Sequence, residues 1–214
     1  MPLGKHPHAG QPVLRRGPAA AQARVAVILV HGRGDTASGI LGFADEFDLP
    51  DLTWVAPQAA GNTWYPFSFL SPMEQNEPGL SSGLEVIGDL VRTLASEGIP
   101  AARVALMGFS QGACLAQEYA ARNAQRYRAI IGLSGGLIGP PRTPRDYPGS
   151  FDGTLVFLGC SDIDPHIPVE RVHETADVFT RMGAVVDVRI YPRMGHTVNA
   201  DEVRAVTALL NAER

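Results

Sequence analysis

Six short apolar runs, rich in valine, isoleucine and leucine, recur along this 214-residue chain and are separated by longer segments with helical periodicity. Runs without polar alternation are typical of strands that are buried on both faces of a sheet. They lie at Val25–Val30, Leu52–Ala56, Val104–Met107, Ala129–Leu133, Leu155–Leu158 and Val185–Ile190. Strands that alternate with helices predict βαβ units, and hence a mostly parallel sheet with helices on both faces. The segment Gln11–Arg15 is predicted to add an antiparallel edge strand.

Between these runs, apolar residues recur on one face of each predicted helix. One helix is expected to follow Ser82, which forms a capping box with Glu85. Another is expected to end at Gly183, a residue type that is common just after helix ends. The last is expected to begin at Asn199, a residue type that is favoured at helix starts.

The composition is that of a folded globular protein, with 45% hydrophobic and 19% charged residues. No linker or repeat divides the chain. Residues 1–214 are therefore predicted to form a single α/β domain without a large cap domain, and residues 1–10 to be a flexible tail. The formal net charge of −4 offers no electrostatic surface for nucleic acid or for an anionic membrane.

The sequence also predicts where the protein works. The longest unbroken apolar run, Val25–Val30, is far shorter than the ~20 residues that span a bilayer, and residues 1–17 lack the apolar stretch of a secretory signal. The two cysteines, Cys114 and Cys160, are too few for a disulfide framework and suit a reducing compartment. We therefore expect a cytoplasmic protein without stable membrane insertion.

The segment Gly108–Gly112, with the sequence GFSQG, fits the pattern G-x-S-x-G. It follows a predicted buried strand and precedes the apolar helix 111–122. A nucleophilic serine in this context sits on a strained turn, and small flanking residues let the strand and the helix approach each other closely. The pattern predicts Ser110 as a nucleophile, and the alternative is an ordinary turn in which Ser110 caps the helix.

A serine hydroxyl needs a general base, and His196 is the best placed of the six histidines. It follows the last predicted strand, and open α/β sheets bind their ligands at the carboxyl ends of strands. A carboxylate must fix the tautomer of this histidine, and Asp162 and Asp164 both follow the strand Leu155–Leu158. The order serine, acid, histidine is that of α/β-hydrolases. The two aspartates could instead form a metal site with His166, although no further ligand cluster accompanies them.

An acyl-transfer site also needs hydrogen-bond donors for the developing oxyanion. One is expected to be the backbone N–H of Gln111, which directly follows the serine. The other is expected from the glycine-rich loop His31–Asp35, which follows the first buried strand. The long aromatic loop Pro57–Leu80 is expected to form a wall of the substrate pocket.

Together these segments resemble the phospholipase/carboxylesterase family, whose best-known members are acyl-protein thioesterases and small bacterial carboxylesterases. The likeness spans nearly the whole chain. It rests on four segments, Gly108–Gly112, His31–Asp35, Asp164–Pro168 and Gly195–His196. The resemblance implies an α/β-hydrolase fold in which Ser110 is the nucleophile, Asp164 the acid and His196 the base.

The resemblance further implies that the backbone N–H groups of Arg33 and Gln111 form the oxyanion hole. Acyl-protein thioesterases carry a leucine at the position of Arg33, so a small ester or thioester is expected here rather than a palmitoylated protein. Trp64, Tyr65 and Phe69 are the candidates for lining the acyl or alcohol pocket.

The expected function is that of a serine esterase, which cleaves carboxylic esters or thioesters through an acyl-enzyme. No cofactor and no metal are expected, and the expected partner is a small ester or thioester. Two alternatives stay open, a lysophospholipase and a catalytically silent α/β-hydrolase that only binds a ligand or partner. A dienelactone-type hydrolase would normally carry cysteine at the position of Ser110. A homodimer is compatible with the sequence.

Overall fold

The structure is a computed structural model in which residues 6–212 are described, and its frame is a seven-stranded sheet. The strands are β1 (Val13–Arg16), β2 (Val25–Val30), β3 (Leu52–Pro57), β4 (Val104–Phe109), β5 (Ala129–Leu133), β6 (Leu155–Ser161) and β7 (Val185–Tyr191). They lie in the order β1-β3-β2-β4-β5-β6-β7. β1 pairs antiparallel with β3, and the other neighbouring strands are parallel. The predicted α/β-hydrolase-type sheet and its antiparallel edge are confirmed.

Two central strands extend beyond their apolar runs toward the carboxyl edge of the sheet. Main-chain pairing does not require apolar side chains, so β4 continues to Phe109, which pairs with Leu133, and β6 continues to Ser161, which pairs with Tyr191. Ser110 therefore follows the last paired residue of β4 directly. The carboxyl ends of β2, β4, β6 and β7 bring the loops with the candidate residues to one edge.

Helices cover both faces of this sheet, as predicted. They are α1 (Ala37–Phe43), α2 (Gly79–Ser96), α3 (Gln111–Arg122), α4 (Val169–Arg181) and α5 (Ala200–Asn211), and short 3₁₀ turns lie at Ala20–Gln22, Ala44–Phe47, Ala60–Asn62, Met73–Asn76 and Ala101–Arg103. On one face, α2, α3 and α4 bury Leu94, Leu115 and Phe179. On the other face, α1 and α5 bury Leu41 and Val206. The two faces of the sheet thus have separate cores.

The predicted start of α2 is wrong. The helix begins at Gly79, three residues earlier, and Ser82 is buried in its first turn, where its N–H donates to the carbonyl of Pro78. The hydroxyl of Ser82 accepts a hydrogen bond from the N–H of His8 and therefore does not cap the helix. The predicted start of α5 is confirmed, because Asn199 forms a capping box with Glu202.

The expectation of a flexible tail is wrong for residues 6–10. His8 is buried, and its Nε2 lies 2.8 Å from the carbonyl oxygen of Trp64, while its Nδ1 accepts a hydrogen bond from the N–H of Ala60 at 3.1 Å. The tail is therefore fastened to the aromatic loop, a contact between positions 56 residues apart that local sequence does not encode. Residues 1–5 lie outside the described residues. Within residues 6–212, no helix has the length and apolar character needed to cross a membrane.

Candidate active site

Ser110 lies on a sharp turn between β4 and α3, with φ 55° and ψ −121°. A non-glycine residue adopts this backbone conformation only under strain, which the surrounding packing must support. A Cβ on Gly108 would lie 2.4 Å from the backbone of Gly112, and a Cβ on Gly112 would lie 2.1 Å from the carbonyl oxygen of Val30. Both glycines are therefore required by close packing, as the sequence predicted.

The imidazole ring of His196 lies between Ser110 and Asp164. Its Nε2 is 2.9 Å from Ser110 Oγ, and its Nδ1 is 2.7 Å from Asp164 Oδ2. An ionised carboxylate only accepts hydrogen bonds, so Nδ1 carries the proton. This tautomer leaves Nε2 free to accept a hydrogen bond from the serine hydroxyl.

The Asp164 carboxylate has no exposed surface and is surrounded by donors. Its Oδ1 accepts hydrogen bonds from the backbone N–H groups of His166, at 2.8 Å, and Ile167, at 3.1 Å. Burial alone would raise the pKa of Asp164. The hydrogen bonds from His196 and from the backbone outweigh burial and hold the pKa below its usual value. Asp164 is therefore ionised at neutral pH.

Asp162, the other candidate acid, lies away from the imidazole. Its Oδ1 accepts a hydrogen bond from the backbone N–H of Arg193 at 2.7 Å, which ties the loop after β6 to the loop after β7. In the part of the chain that the structure describes, no three His, Cys, Asp or Glu side chains are grouped to hold a metal ion. The alternative metal site of Asp162, Asp164 and His166 is therefore not formed.

The glycine-rich loop after β2 is fixed by the buried ring of His31. Its Nδ1 lies 2.7 Å from the carbonyl oxygen of Gly32, and its Nε2 accepts a hydrogen bond from the N–H of Ala59. Burial lowers the pKa of His31, so the ring is neutral with its proton on Nδ1. In a trans peptide the C=O and N–H point in opposite directions, so the N–H of Arg33 points away from this ring.

Gln111 is the first residue of α3, so its N–H has no carbonyl within the helix to which it can donate a hydrogen bond. Neither this N–H nor that of Arg33 donates a hydrogen bond to another group among residues 6–212. Both residues border the same cavity as Ser110 and His196. The two residues whose backbone N–H groups the sequence singled out thus border the same cavity as Ser110.

A cavity of about 800 Å³ opens at Ser110, and we call it the catalytic cavity. Tyr65 and Phe69, two of the three pocket candidates, line it, and so do Phe67 and Ile167, which the sequence analysis did not single out. Phe67 lies in the predicted aromatic loop, and Ile167 lies in the segment that carries Asp164. Their places in these two segments were the sequence signal that could have identified them.

Trp64 does not line the catalytic cavity, so this candidate is corrected. The side chain is completely buried, and its Nε1 donates to the carbonyl of His31 at 3.0 Å. Its ring packs between those of His8 and His31, with centroid distances of 5.1 Å to each. Trp64 supports the loop after β2 from behind instead of contacting the cavity.

Two side chains hold the aromatic loop over the cavity. The amide of Gln111 accepts from the N–H of Trp64 at 2.9 Å and donates to the carbonyl of Tyr65 at 2.8 Å. The guanidinium of Arg33 donates to the carbonyl oxygens of Pro66, at 2.9 Å, and Phe67, at 2.7 Å. The sequence analysis had predicted no contact between these two side chains and the aromatic loop.

The parallel sheet and the strand–serine–helix turn define an α/β-hydrolase-type fold. The sequence model of the phospholipase/carboxylesterase family matches residues 17–213, and the chain belongs to that family.

Three similar proteins illustrate the relationship. Acyl-protein thioesterase 1 of Neurospora crassa is 26% identical over 216 residues, which cover 90% of this chain and 88% of that protein. The crystal structure of a phospholipase/carboxylesterase from Dyadobacter fermentans has a TM-score of 0.91 and 39% identity, covering 95% of this chain and 97% of the other. The Bacillus cereus carboxylesterase, at 17% identity and a TM-score of 0.73 over 95% and 94% of the two chains, shares the fold. The protein is therefore an enzyme, a serine hydrolase of the esterase/thioesterase type.

Proposed function

We propose that this protein hydrolyses small carboxylic esters or thioesters through a triad of Ser110, His196 and Asp164. The observation that carries the proposal is the pair of contacts on one imidazole ring, 2.9 Å from Nε2 to Ser110 Oγ and 2.7 Å from Nδ1 to Asp164 Oδ2. The tautomer that these contacts require is the one in which His196 can accept the serine proton.

In the first half-reaction, Ser110 Oγ attacks the carbonyl carbon of the substrate while its proton passes to Nε2 of His196. The carbonyl oxygen becomes an oxyanion, and Asp164 stabilises the imidazolium. When the tetrahedral intermediate collapses, the bond from the carbonyl carbon to the leaving oxygen or sulfur breaks, and His196 gives its proton to that atom. The products are an acyl ester of Ser110 and a free alcohol or thiol.

In the second half-reaction, water attacks the acyl ester and His196 accepts one of the water protons. Collapse of the second tetrahedral intermediate breaks the bond to Oγ, and His196 returns the proton to Ser110. A carboxylic acid leaves and the free enzyme is restored. The cycle balances with water as its only co-substrate.

We assign the oxyanion hole to the backbone N–H groups of Arg33 and Gln111. Two observations support this assignment. Neither N–H donates a hydrogen bond to another group among the described residues, and both residues border the catalytic cavity. An oxyanion-hole donor of this kind typically contributes about 10²–10³ in kcat. Because the two N–H groups belong to the main chain, substitution of either side chain tests the loop contacts and not the donor itself.

We propose that the acyl chain lies against Tyr65, Phe69 and Ile167. These three side chains are buried and line the catalytic cavity, so an apolar chain would remove their remaining surface from water. The free, buried thiols of Cys114 and Cys160 suit the reducing cytoplasm that the sequence predicts.

Covalent labelling tests the nucleophile. A fluorophosphonate probe reacts only with an activated serine, so it should label the parent at Ser110 and should not label Ser110→Ala. Ser68 lines the same cavity and is within reach of the probe, so Ser68→Ala is the matched control and should keep the label. Labelling at a residue other than Ser110 would reject the triad, and an unlabelled parent would reject it and favour a silent binding protein.

A substrate panel tests the class of ester. The panel contains p-nitrophenyl esters of increasing acyl length, an acyl-thioester and a lysophospholipid. Turnover of short esters or thioesters, with little turnover of the lysophospholipid, supports the proposal. A preference for the lysophospholipid would favour the alternative of a lysophospholipase.

A further inference from the structure

A second cleft, of about 310 Å³, meets the catalytic cavity at Asp35 and Phe109, which line both. We call it the second cleft. Ile40 and Phe43 of α1 and Val198, just before α5, form the rest of its apolar lining. Asp35 is the charged residue of that lining.

The two hollows lie over opposite faces of the sheet. Tyr65, Phe69 and Ile167 of the catalytic cavity belong to the core on the face of α2, α3 and α4. Ile40 belongs to the core on the face of α1 and α5, and Phe43 packs against that core. The reacting serine hydroxyl therefore stands at the edge of the sheet, between one hollow on each face.

We propose that the second cleft binds the alcohol or thiol that leaves, while the catalytic cavity binds the acyl chain. The group that leaves carries an apolar chain and is either uncharged or cationic. This inference rests on the esterase function proposed above and adds the class of leaving group.

The position of His196 carries the assignment of the two hollows. His196 must give its proton to the leaving oxygen or sulfur, so that atom lies beside Nε2 in the transition state. The ring of His196 packs on Phe109, with 4.9 Å between centroids, and the following residues Thr197 and Val198 line the second cleft. A chain attached to the leaving atom can therefore pass over Phe109 into this cleft.

The geometry of the reacting carbon separates the two chains. In the tetrahedral intermediate the oxyanion, Ser110 Oγ, the leaving atom and the acyl carbon point in four different directions. The acyl chain and the leaving group must therefore diverge, and hollows on opposite faces of the sheet match that divergence. A neighbouring hollow of about 410 Å³ shares Phe43 and Val198 with the second cleft, so a longer alkyl or aryl group has room to continue into it.

Asp35 gives the second cleft its charge preference. The carboxylate makes no hydrogen bond or ion pair with another side chain in the range 6–212, and it lines the junction of the two hollows. A carboxylate at this junction attracts a cationic leaving group and repels an anionic one, and added salt screens this effect. Arg33, whose guanidinium donates to the carbonyls of Pro66 and Phe67, lines the catalytic cavity and is not among the residues that line the second cleft.

Two substrate series separate the hollows. The first keeps the acyl group as acetate and lengthens the alcohol from methyl to butyl to hexyl, and the second keeps p-nitrophenol and lengthens the acyl chain. Phe43→Ala should lower kcat/KM for hexyl acetate about tenfold more than for methyl acetate, since two lost methylene contacts are worth about that factor. Phe67→Ala, on the wall of the catalytic cavity, is the matched variant and should act on the acyl series instead.

Because Phe43 also packs edge-on against Phe47, Phe43→Ala removes a core contact as well as part of the cleft wall. Val198→Thr is nearly isosteric and therefore provides a second variant. It should shift the alcohol series in the same direction as Phe43→Ala. If both variants change the two series equally, or change only the acyl series, the assignment of the second cleft is overturned while the esterase function stands. If the parent hydrolyses no ester of either series, the proposed function fails and this inference fails with it.

Leaving-group charge provides an independent readout. Acetylcholine and 3,3-dimethylbutyl acetate have leaving groups of the same shape, and only the first is cationic. The parent should favour the cation by roughly two- to fivefold, as expected for an exposed charge pair, and Asp35→Asn or high salt should remove the preference. Equal preferences in parent and variant would overturn the role of Asp35.

Discussion

Oδ2 of Asp164 lies 2.7 Å from Nδ1 of His196, and the aspartate side chain that makes this contact has no exposed surface. Burial of a carboxylate is costly unless hydrogen bonds replace its lost hydration. Here Oδ1 receives the backbone N–H groups of His166 and Ile167, so both oxygens are occupied. The loop after β6 is thus folded around the carboxylate, which fixes the direction from which it meets the imidazole.

This arrangement predicts different results for two aspartates that are two residues apart. Asp164→Asn should lower kcat on the order of 10⁴-fold, as in other triads, because an amide nitrogen at Oδ2 would favour the wrong tautomer of His196. Asp162→Asn should have a far smaller effect, because Asp162 holds only the backbone N–H of Arg193. Steady-state kinetics of the two variants provide the measurement. A larger loss in Asp162→Asn would contradict the assignment of the acid.

The two aspartates also show where sequence reasoning ends. The turn at Ser110 has a recognisable local signature, since Gly108, Ser110 and Gly112 are close in sequence, although the close contact of Gly112 is with the end of β2. Asp162 and Asp164 occupy the same loop and have the same chemistry, so the residues alone left both open. The loop conformation, which decides between them, depends on backbone donors that any residue supplies.

The aromatic loop shows a second limit. Its aromatic content correctly indicated a pocket wall, but periodicity and composition do not show which side of a loop faces the core. Trp64 turns inward because His8 and His31 lie on either side of it, and Gln111 fixes its backbone. Such contacts join distant parts of the chain and become visible only in the fold.

The difference between Phe69 and Trp64 can be tested with esters of different acyl length. Phe69→Ala should reduce kcat/KM for long acyl esters more than for acetates, because each buried methylene contributes up to ~0.8 kcal/mol. Trp64→Phe removes the hydrogen bond to the carbonyl of His31 and should lower the activity on short and long esters alike. A chain-length dependence for Trp64→Phe would show that this residue contacts substrate.

The anchor at His8 predicts that the N-terminal segment affects the aromatic loop. His8→Ala leaves the N–H of Ala60 and the carbonyl of Trp64 without their partner, and an unsatisfied buried group costs about 1–3 kcal/mol. Denaturant unfolding should show this loss. His6→Ala is the matched control, since its contact with Glu85 is exposed and such surface pairs contribute little. Equal stabilities of the two variants would refute the anchor.

The same residue predicts an effect of acid. Burial lowers the pKa of His8 below its ordinary 6.5, so below that pH the unfolded chain takes up a proton that the folded chain does not. The contribution of His8 to stability is therefore complete above pH 6.5 and falls as the pH drops. His8→Gln should become more stable relative to the parent between pH 6.5 and pH 5. A constant stability difference across this range would contradict the burial of a neutral imidazole.

Glu202 provides a pH effect of the opposite sign. Its carboxyl is completely buried, with Oε2 accepting the N–H of Asn199 at 2.8 Å and Oε1 without a hydrogen-bond partner in the described structure. Burial raises its pKa from 4.5 to about 7. Between these values the folded chain holds a proton that the unfolded chain has lost, so the contribution of Glu202 to stability is complete at low pH and is lost as the pH rises toward 7.

Glu202→Gln removes this titration while it keeps the shape of the side chain and an oxygen for the N–H of Asn199. The free energy of unfolding of the variant should therefore rise relative to the parent by up to about 1.4 kcal/mol per pH unit between about pH 4.5 and pH 7, and then stay constant. Denaturant unfolding at several pH values measures the difference. Glu170→Gln is the matched control, because Glu170 also lies in the first turn of a helix but is exposed, and it should follow the parent. If the two variants followed the parent equally, Glu202 would be ionised in the folded protein over this range, which would contradict a pKa raised by burial.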